Sequence, residues 1–60
     1  MKKDFSNLDL SGKNMDNLVL REANFSGANI TNTSFRGAIL VKANFSKSYG
    51  SGVDFSKAKL

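Results

Sequence analysis

Every fifth residue from Phe5 onward belongs to one class. The series runs Phe5, Leu10, Met15, Leu20, Phe25, Ile30, Phe35, Leu40, Phe45, Gly50, Phe55 and Leu60, and eleven of these twelve are large and apolar. A second series lies two residues earlier: Lys3, Leu8, Lys13, Leu18, Ala23, Ala28, Thr33, Ala38, Ala43, Ser48, Val53 and Ala58. From Ala23 on, it holds only small or β-branched residues. The positions between are mostly Asn, Asp, Ser, Thr, Gly, Lys and Arg. No segment keeps the i, i+3, i+4, i+7 spacing of an amphipathic helix, and strict alternation fails too. A short fixed period points instead to a solenoid. One large and one small apolar residue in each five suit a coil in which a pentapeptide forms one side. Both apolar positions then face the axis. Gly, Asn and Ser suit the corners, and backbone groups must pair with the turns above and below.

The unit is plainest in Ala23-Asn24-Phe25-Ser26-Gly27, Ala43-Asn44-Phe45-Ser46-Lys47 and Val53-Asp54-Phe55-Ser56-Lys57. These residues resemble the repeats of the pentapeptide repeat protein family, which read roughly Ala/Ser/Thr/Val, Asp/Asn, Leu/Phe, Ser/Thr/Arg, Gly. The resemblance covers residues 3–60. It implies an all-β fold, a right-handed quadrilateral parallel β-helix of about three coils, as a single domain over residues 1–60. Residues twenty apart should then stack in four columns: Phe5/Phe25/Phe45, Leu10/Ile30/Gly50, Met15/Phe35/Phe55 and Leu20/Leu40/Leu60.

Some positions depart from the pattern. Lys3 and Lys13 replace small inward residues, which suits an N-terminal cap whose stems lie along apolar surface with the ammonium in water. Gly50 empties an inward position above Ile30, and a bulge or a turn with positive φ is expected there, with Tyr49 either filling the gap or standing outside. The repeated Ser6/Ser26/Ser46 and Asn24/Asn44 are expected to hydrogen-bond to one another between stacked strands, a structural rather than a functional role. The Asn-x-Ser/Thr triplets headed by Asn24, Asn29, Asn32 and Asn44 are by-products of the repeat.

Composition narrows the function. The chain has 60 residues and no Cys, His, Trp or Pro. Disulfides, Cys/His zinc sites and His- or Cys-based triads are therefore excluded. The five carboxylates, Asp4, Asp9, Asp16, Glu22 and Asp54, do not converge as a hard-cation site requires, and no base or nucleophile accompanies them. The expectation is a non-enzymatic protein without metal or cofactor. The longest apolar run is Ile39-Leu40-Val41, so no membrane span is expected. No hydrophobic stretch follows Met1-Lys2-Lys3, so no signal peptide is evident and the cytoplasm is the expected location.

Two candidate surfaces remain. Val19 and Ile39 flank the buried Leu20 and Leu40, and Val41 follows. These outward β-branched residues form an apolar stripe bordered by Arg21, Glu22, Lys42 and Lys59. With Tyr49, they are the candidate protein contacts. The second surface is basic. The chain carries +4 overall, and residues 41–60 hold Lys42, Lys47, Lys57 and Lys59 against Asp54. That end suits nucleic acid or an acidic protein, though only Tyr49 is available to stack on a base.

The reading favoured is an interaction module: a short β-helical rod that docks onto another protein, including as an inhibitor of a nucleic-acid-handling enzyme. Open backbone edges at both ends favour self-association, with a dimer expected. The family resemblance adds an alternative. Some members resemble B-form DNA in shape and charge, bind DNA gyrase and confer quinolone resistance. A positive chain opposes that role, although Asp4, Asp9 and Asp16 leave a local acidic face. Direct nucleic-acid binding through the basic C-terminal coil and a purely structural solenoid module are the remaining alternatives.

Overall fold

The computed structural model describes residues 3–60. Met1 and Lys2, which open the segment read as lacking a signal peptide, lie outside them. The chain pairs with itself at a spacing of twenty residues. Parallel bridges join Asp4 to Asn24, Asp9 to Asn29, Asn14 to Ser34 and Val19 to Ile39. A second set joins Asn24 to Asn44, Asn29 to Tyr49, Ser34 to Asp54 and Ile39 to Lys59. Residues 21–40 thus form a middle layer between residues 3–20 and 41–60. We number the sides one to four by their inward residues, Phe5, Leu10, Met15 and Leu20, and carry the numbers up each stack.

Each side contributes a pair of bonds typical of a ladder. On side one, Asn24 N–H donates to the Lys3 carbonyl (2.8 Å) and Phe5 N–H donates to the Asn24 carbonyl (2.7 Å). A further bond links the corners, Asn7 N–H to the Ser26 carbonyl (2.9 Å). The corners are tight turns. Ala28 N–H donates to the Phe25 carbonyl (3.1 Å), and Gly27 between them has φ 68. A bond across three residues with positive φ at the third marks a type II turn. The corner residues all take positive φ: Asn7, Asn17, Glu22, Asn32, Lys42, Lys47 and Lys57, with Gly12, Gly27, Gly37 and Gly52.

Stacking accounts for three of the four corner glycines. A Cβ on Gly27 would strike the Asn7 side chain below it, and Gly37 stands likewise over Asn17 and Gly52 over Asn32. Each Asn leans up across the next corner, and only hydrogen fits there. Above Gly27 and Gly37 a side chain returns, as Lys47 and Lys57.

The interior columns match the expected register. The rings of Phe5 and Phe25 stack with centroids 4.9 Å apart, Phe25 and Phe45 at 4.8 Å, and Phe35 and Phe55 at 5.3 Å. These spacings repeat the separation of paired strands. Across the axis Phe25 meets Phe35 edge-on at 5.5 Å, a favoured aromatic geometry. The middle layer is the core proper: Ala23, Phe25, Ala28, Thr33, Phe35 and Ala38 have no exposed surface. Buried Thr33 is satisfied, its hydroxyl donating to the Leu10 carbonyl at 2.8 Å.

Three sequence expectations need correction. Leu8 and Leu18, expected to face the axis, are 48% and 44% exposed, because no described residue lies beneath them; Lys3 and Lys13 are exposed as well. The Asn and Ser repeats do not bond between layers. Asn24 Oδ1 accepts from Ser26 N–H, and Asn44 Oδ1 from the N–H and hydroxyl of Ser46, all within one unit. Gly50 does take the positive φ expected of it. Its φ is 140, and a Cβ would lie 2.8 Å from Thr31 Cα and closer still to Thr31 N, so the backbones crowd there. Finally, the Cα extents of 23 × 19 × 14 Å describe a squat block rather than a rod.

Candidate functional site

The outward residues of each unit follow a local rule. The Asn or Asp before the inward residue turns its Oδ1 back to the N–H two residues on. Asp4 accepts from Ser6 N–H, Asp9 from Ser11, Asn14 from Asp16, Asn29 from Thr31 and Asp54 from Ser56, at 2.9–3.1 Å. This is the Asx turn, a side chain standing in for a backbone acceptor. It explains why the unit wants Asp/Asn and Ser/Thr flanking its large residue. The hydroxyl usually joins the same oxygen, as Ser6 and Ser11 do at 2.6 and 2.7 Å.

Those bonds act on charge as well. The Ser6 hydroxyl, then the Ser6 N–H, hold the Asp4 carboxyl below its ordinary 3.8. Ser11 does the same to Asp9, with a smaller pull from Lys13. Ser56 does so to Asp54, helped least by Arg36, whose Nε stands 3.8 Å from the carboxylate. All three donate to the ionised form and so favour it.

Side three shows a substitute. Ser34 occupies the Asx position and leaves Arg36 N–H without a cap from its own unit. Asp16, one layer below, supplies it: its Oδ1 accepts from Arg36 N–H at 3.0 Å and from the Ser34 hydroxyl. A carboxylate arriving from outside the unit thus completes the turn. A shallow groove lies there, lined by Asp16, Asn17, Arg36, Gly37, Ser56 and Lys57.

Side four has neither cap nor substitute. Val19, Ile39 and Lys59 fill the Asx positions and carry no acceptor. Among the described residues, no hydrogen-bond acceptor reaches the N–H of Arg21 or Val41. The candidate apolar residues gather here as expected. Val19 is bridged to Ile39 and is 58% exposed, while Ile39 and Val41 are half-buried. A groove beside them is lined by Arg21, Glu22, Val41 and Lys42.

The other candidate residues are dispersed. Tyr49 is bridged to Asn29 on side two, opposite the stripe, and stands outside with 59% exposure. Lys42, Lys47 and Lys57 sit at three different corners of the last layer, and Lys59 on side four; all are exposed. Only Lys42 and Lys59 border the stripe. The uncapped N–H pair escaped the sequence reading. Its signal was the loss of Asp/Asn at 19 and 39. No helix among the described residues is long and apolar enough to cross a membrane.

The stacked parallel bridges and five-residue sides define a repeat solenoid of the β-helix class. The chain belongs to the pentapeptide repeat family: the pattern described as Pentapeptide repeats matches residues 4–37 and 28–60, in 8 copies. The fold of that family is a right-handed β-helix, and its members are generally non-catalytic structural or protein-interaction modules. No curated protein matches the chain. A solved structure does, the 1.7 Å crystal structure of a pentapeptide repeat protein from the Arabidopsis thaliana thylakoid lumen. It is 36% identical with a TM-score of 0.65, over 90% of this chain and 44% of that one. The chain thus spans less than half of that protein's length.

Proposed function

We propose that the chain is a non-enzymatic protein–protein interaction module, three turns of a four-sided coil that dock through side four onto another protein. One observation carries this reading. Side four alone combines exposed β-branched residues with a flanking groove and unfinished backbone donors, whereas the other sides cap most of theirs with their own side chains. An exposed apolar patch rimmed by charge is the surface that association uses. The same face also suits a second copy.

Other readings have weaker support. DNA mimicry at a topoisomerase such as DNA gyrase, or inhibition of another nucleic-acid-handling enzyme, calls for an acidic face. Asp4, Asp9 and Asp16 each already accept a backbone N–H, and the chain carries a net +4. Direct nucleic-acid binding calls for clustered cations, and Lys47 and Lys57 stand at opposite corners. A purely structural module leaves the bare donors of side four unexplained.

The test is the triple variant V19A/I39A/V41A beside a K47A/K57A variant. Capture of a defined protein from cell lysate should be lost in the first and kept in the second, with circular dichroism unchanged in both. Equal capture by both variants would remove side four from the function. Light scattering at low and high salt separates a second copy from a foreign partner.

A further inference from the structure

Eight units show how this fold finishes an outward N–H: a side-chain oxygen sits on it. Seven times the oxygen comes from the same unit, and once, on Arg36, from Asp16 of another layer. Three N–H groups at this position of the unit are left bare among the described residues: Arg21, Val41 and Ser51. Ser51 stands alone beside the Gly50 bend. Arg21 and Val41 differ, because they lie one above the other in adjacent layers and together line one groove. Around them stand Val19 and Ile39, the cations Arg21, Lys42 and Lys59, and one opposing anion, Glu22. The donors, the charge balance and the apolar surface call for the same ligand chemistry.

We propose that side four receives a carboxylate from its partner: an extended acidic–apolar segment whose Asp or Glu oxygen caps the N–H groups of Arg21 and Val41 while its apolar residues cover Val19 and Ile39. This rests on the reading of side four as a docking face and specifies its ligand. The Asp16–Arg36 contact shows that a carboxylate from outside the unit fits the cap position. The guanidinium of Arg21 and the ammonium of Lys42 favour an ionised oxygen over a neutral one, since charge-assisted hydrogen bonds are about twice as strong. Apolar contact alone does not explain why the two donors are left without the oxygen that eight other N–H groups receive.

The experiment titrates the full ¹⁵N-labelled chain with the peptide acetyl-Val-Asp-Val-Asp-Val-amide and with its Asn-for-Asp counterpart. The expected result is a saturable downfield shift of the Arg21 and Val41 amide protons. Affinity for the Asn peptide should be about fivefold lower or worse, and the difference should shrink in high salt. The decisive variant is Ile39→Asn, which installs the missing oxygen at a half-exposed position. It should shift the Val41 amide with no peptide present and weaken Asp-peptide binding about tenfold. Unmoved Arg21 and Val41 amides at millimolar Asp peptide overturn the proposal, as does equal binding of the two peptides. Binding kept in Ile39→Asn but lost in V19A/I39A/V41A overturns the carboxylate cap and leaves the docking reading standing. Peptide binding that survives both variants overturns the two together.

Discussion

Sides one and four share a backbone and finish it in opposite ways. On side one Asp4, Asn24 and Asn44 each close an Asx turn, and a continuous Phe5/Phe25/Phe45 stack lies behind them. On side four Leu20 and Leu40 are 2% and 1% exposed, yet Val19 and Ile39 face outward and cap nothing. The inward requirement is therefore met identically while the outward one is relaxed. In a solenoid the inward residues carry the fold, so an outward rule broken along the whole of one side is free to serve recognition. The difference between the two sides separates what the coil needs from what it offers.

The largest effects should not distinguish the sides at all. Phe25→Ala on side one should cost about 3–5 kcal/mol and Leu40→Ala on side four about 2–5 kcal/mol in chemical denaturation. Both residues have at most 1% exposure. Phe5, half-buried in the first layer, should cost less than Phe25. If Leu40→Ala proves nearly neutral, side four is not packed as part of the same core and the comparison fails.

A second test strikes the corners. Gly27→Ala places a side chain at φ 68 and against the Asn7 side chain. The backbone term alone should cost about 1–2 kcal/mol. Much of the remainder should vanish in an Asn7→Gly background, a coupling of about 0.5–3 kcal/mol for residues in contact. Strict additivity of the pair would show that the Asn does not lean over the glycine. Corner four has Glu22 and Lys42 with no glycine, so Lys42→Gly there should stabilise rather than destabilise.

The inward half of this architecture was legible in the sequence and the outward half was not. Period five and a twenty-residue stack follow from Phe5, Phe25 and Phe45 alone, because burial selects residue class position by position. Hydrogen bonding does not leave such a trace. Asn24 and Asn44 share a column and could bond along the stack or within their own units; the N–H two residues on is nearer and fixed by the turn, so it wins. Asp16 is the reverse case. Its own unit is already capped by Asn14, and the demand it meets belongs to Arg36. Leu8 and Leu18 show a third gap: their class says inward, but exposure depends on what lies beneath. Side four was found as an apolar stripe, while its free donors became visible only once the caps elsewhere were known.

Removing a cap should have a smaller effect than breaking a corner. Asn24→Ala should cost about 1 kcal/mol, the net value of an ordinary hydrogen bond. Val19→Ala, which loses no cap, should fall within about 0.5 kcal/mol of wild type. Thermal melts of the two variants rank the sides directly, and an equal loss would erase the distinction between them.

The finest test uses acid. Side one, side two and side three each hold a capping carboxylate, in Asp4, Asp9 and Asp54, and each carboxyl is held below its ordinary 3.8 chiefly by the serine hydroxyl two residues on. Side four holds none. A carboxyl depressed in the folded state contributes stability that is complete above its unfolded value and is lost as pH falls through the folded one. Melting temperature should therefore stay level on these groups' account down to about pH 4 and decline below it. The exposure of all three keeps the decline shallow. The variant D4N/D9N/D54N retains an Oδ1 acceptor at these three caps and removes their protonatable carboxyls, so its melting temperature should lose their share of the acid limb while remaining near wild type at neutral pH. An unchanged acid limb in the triple Asn variant would mean that these caps hold by geometry alone. A loss of stability at neutral pH would mean that the charge, rather than the oxygen, is what closes the turn.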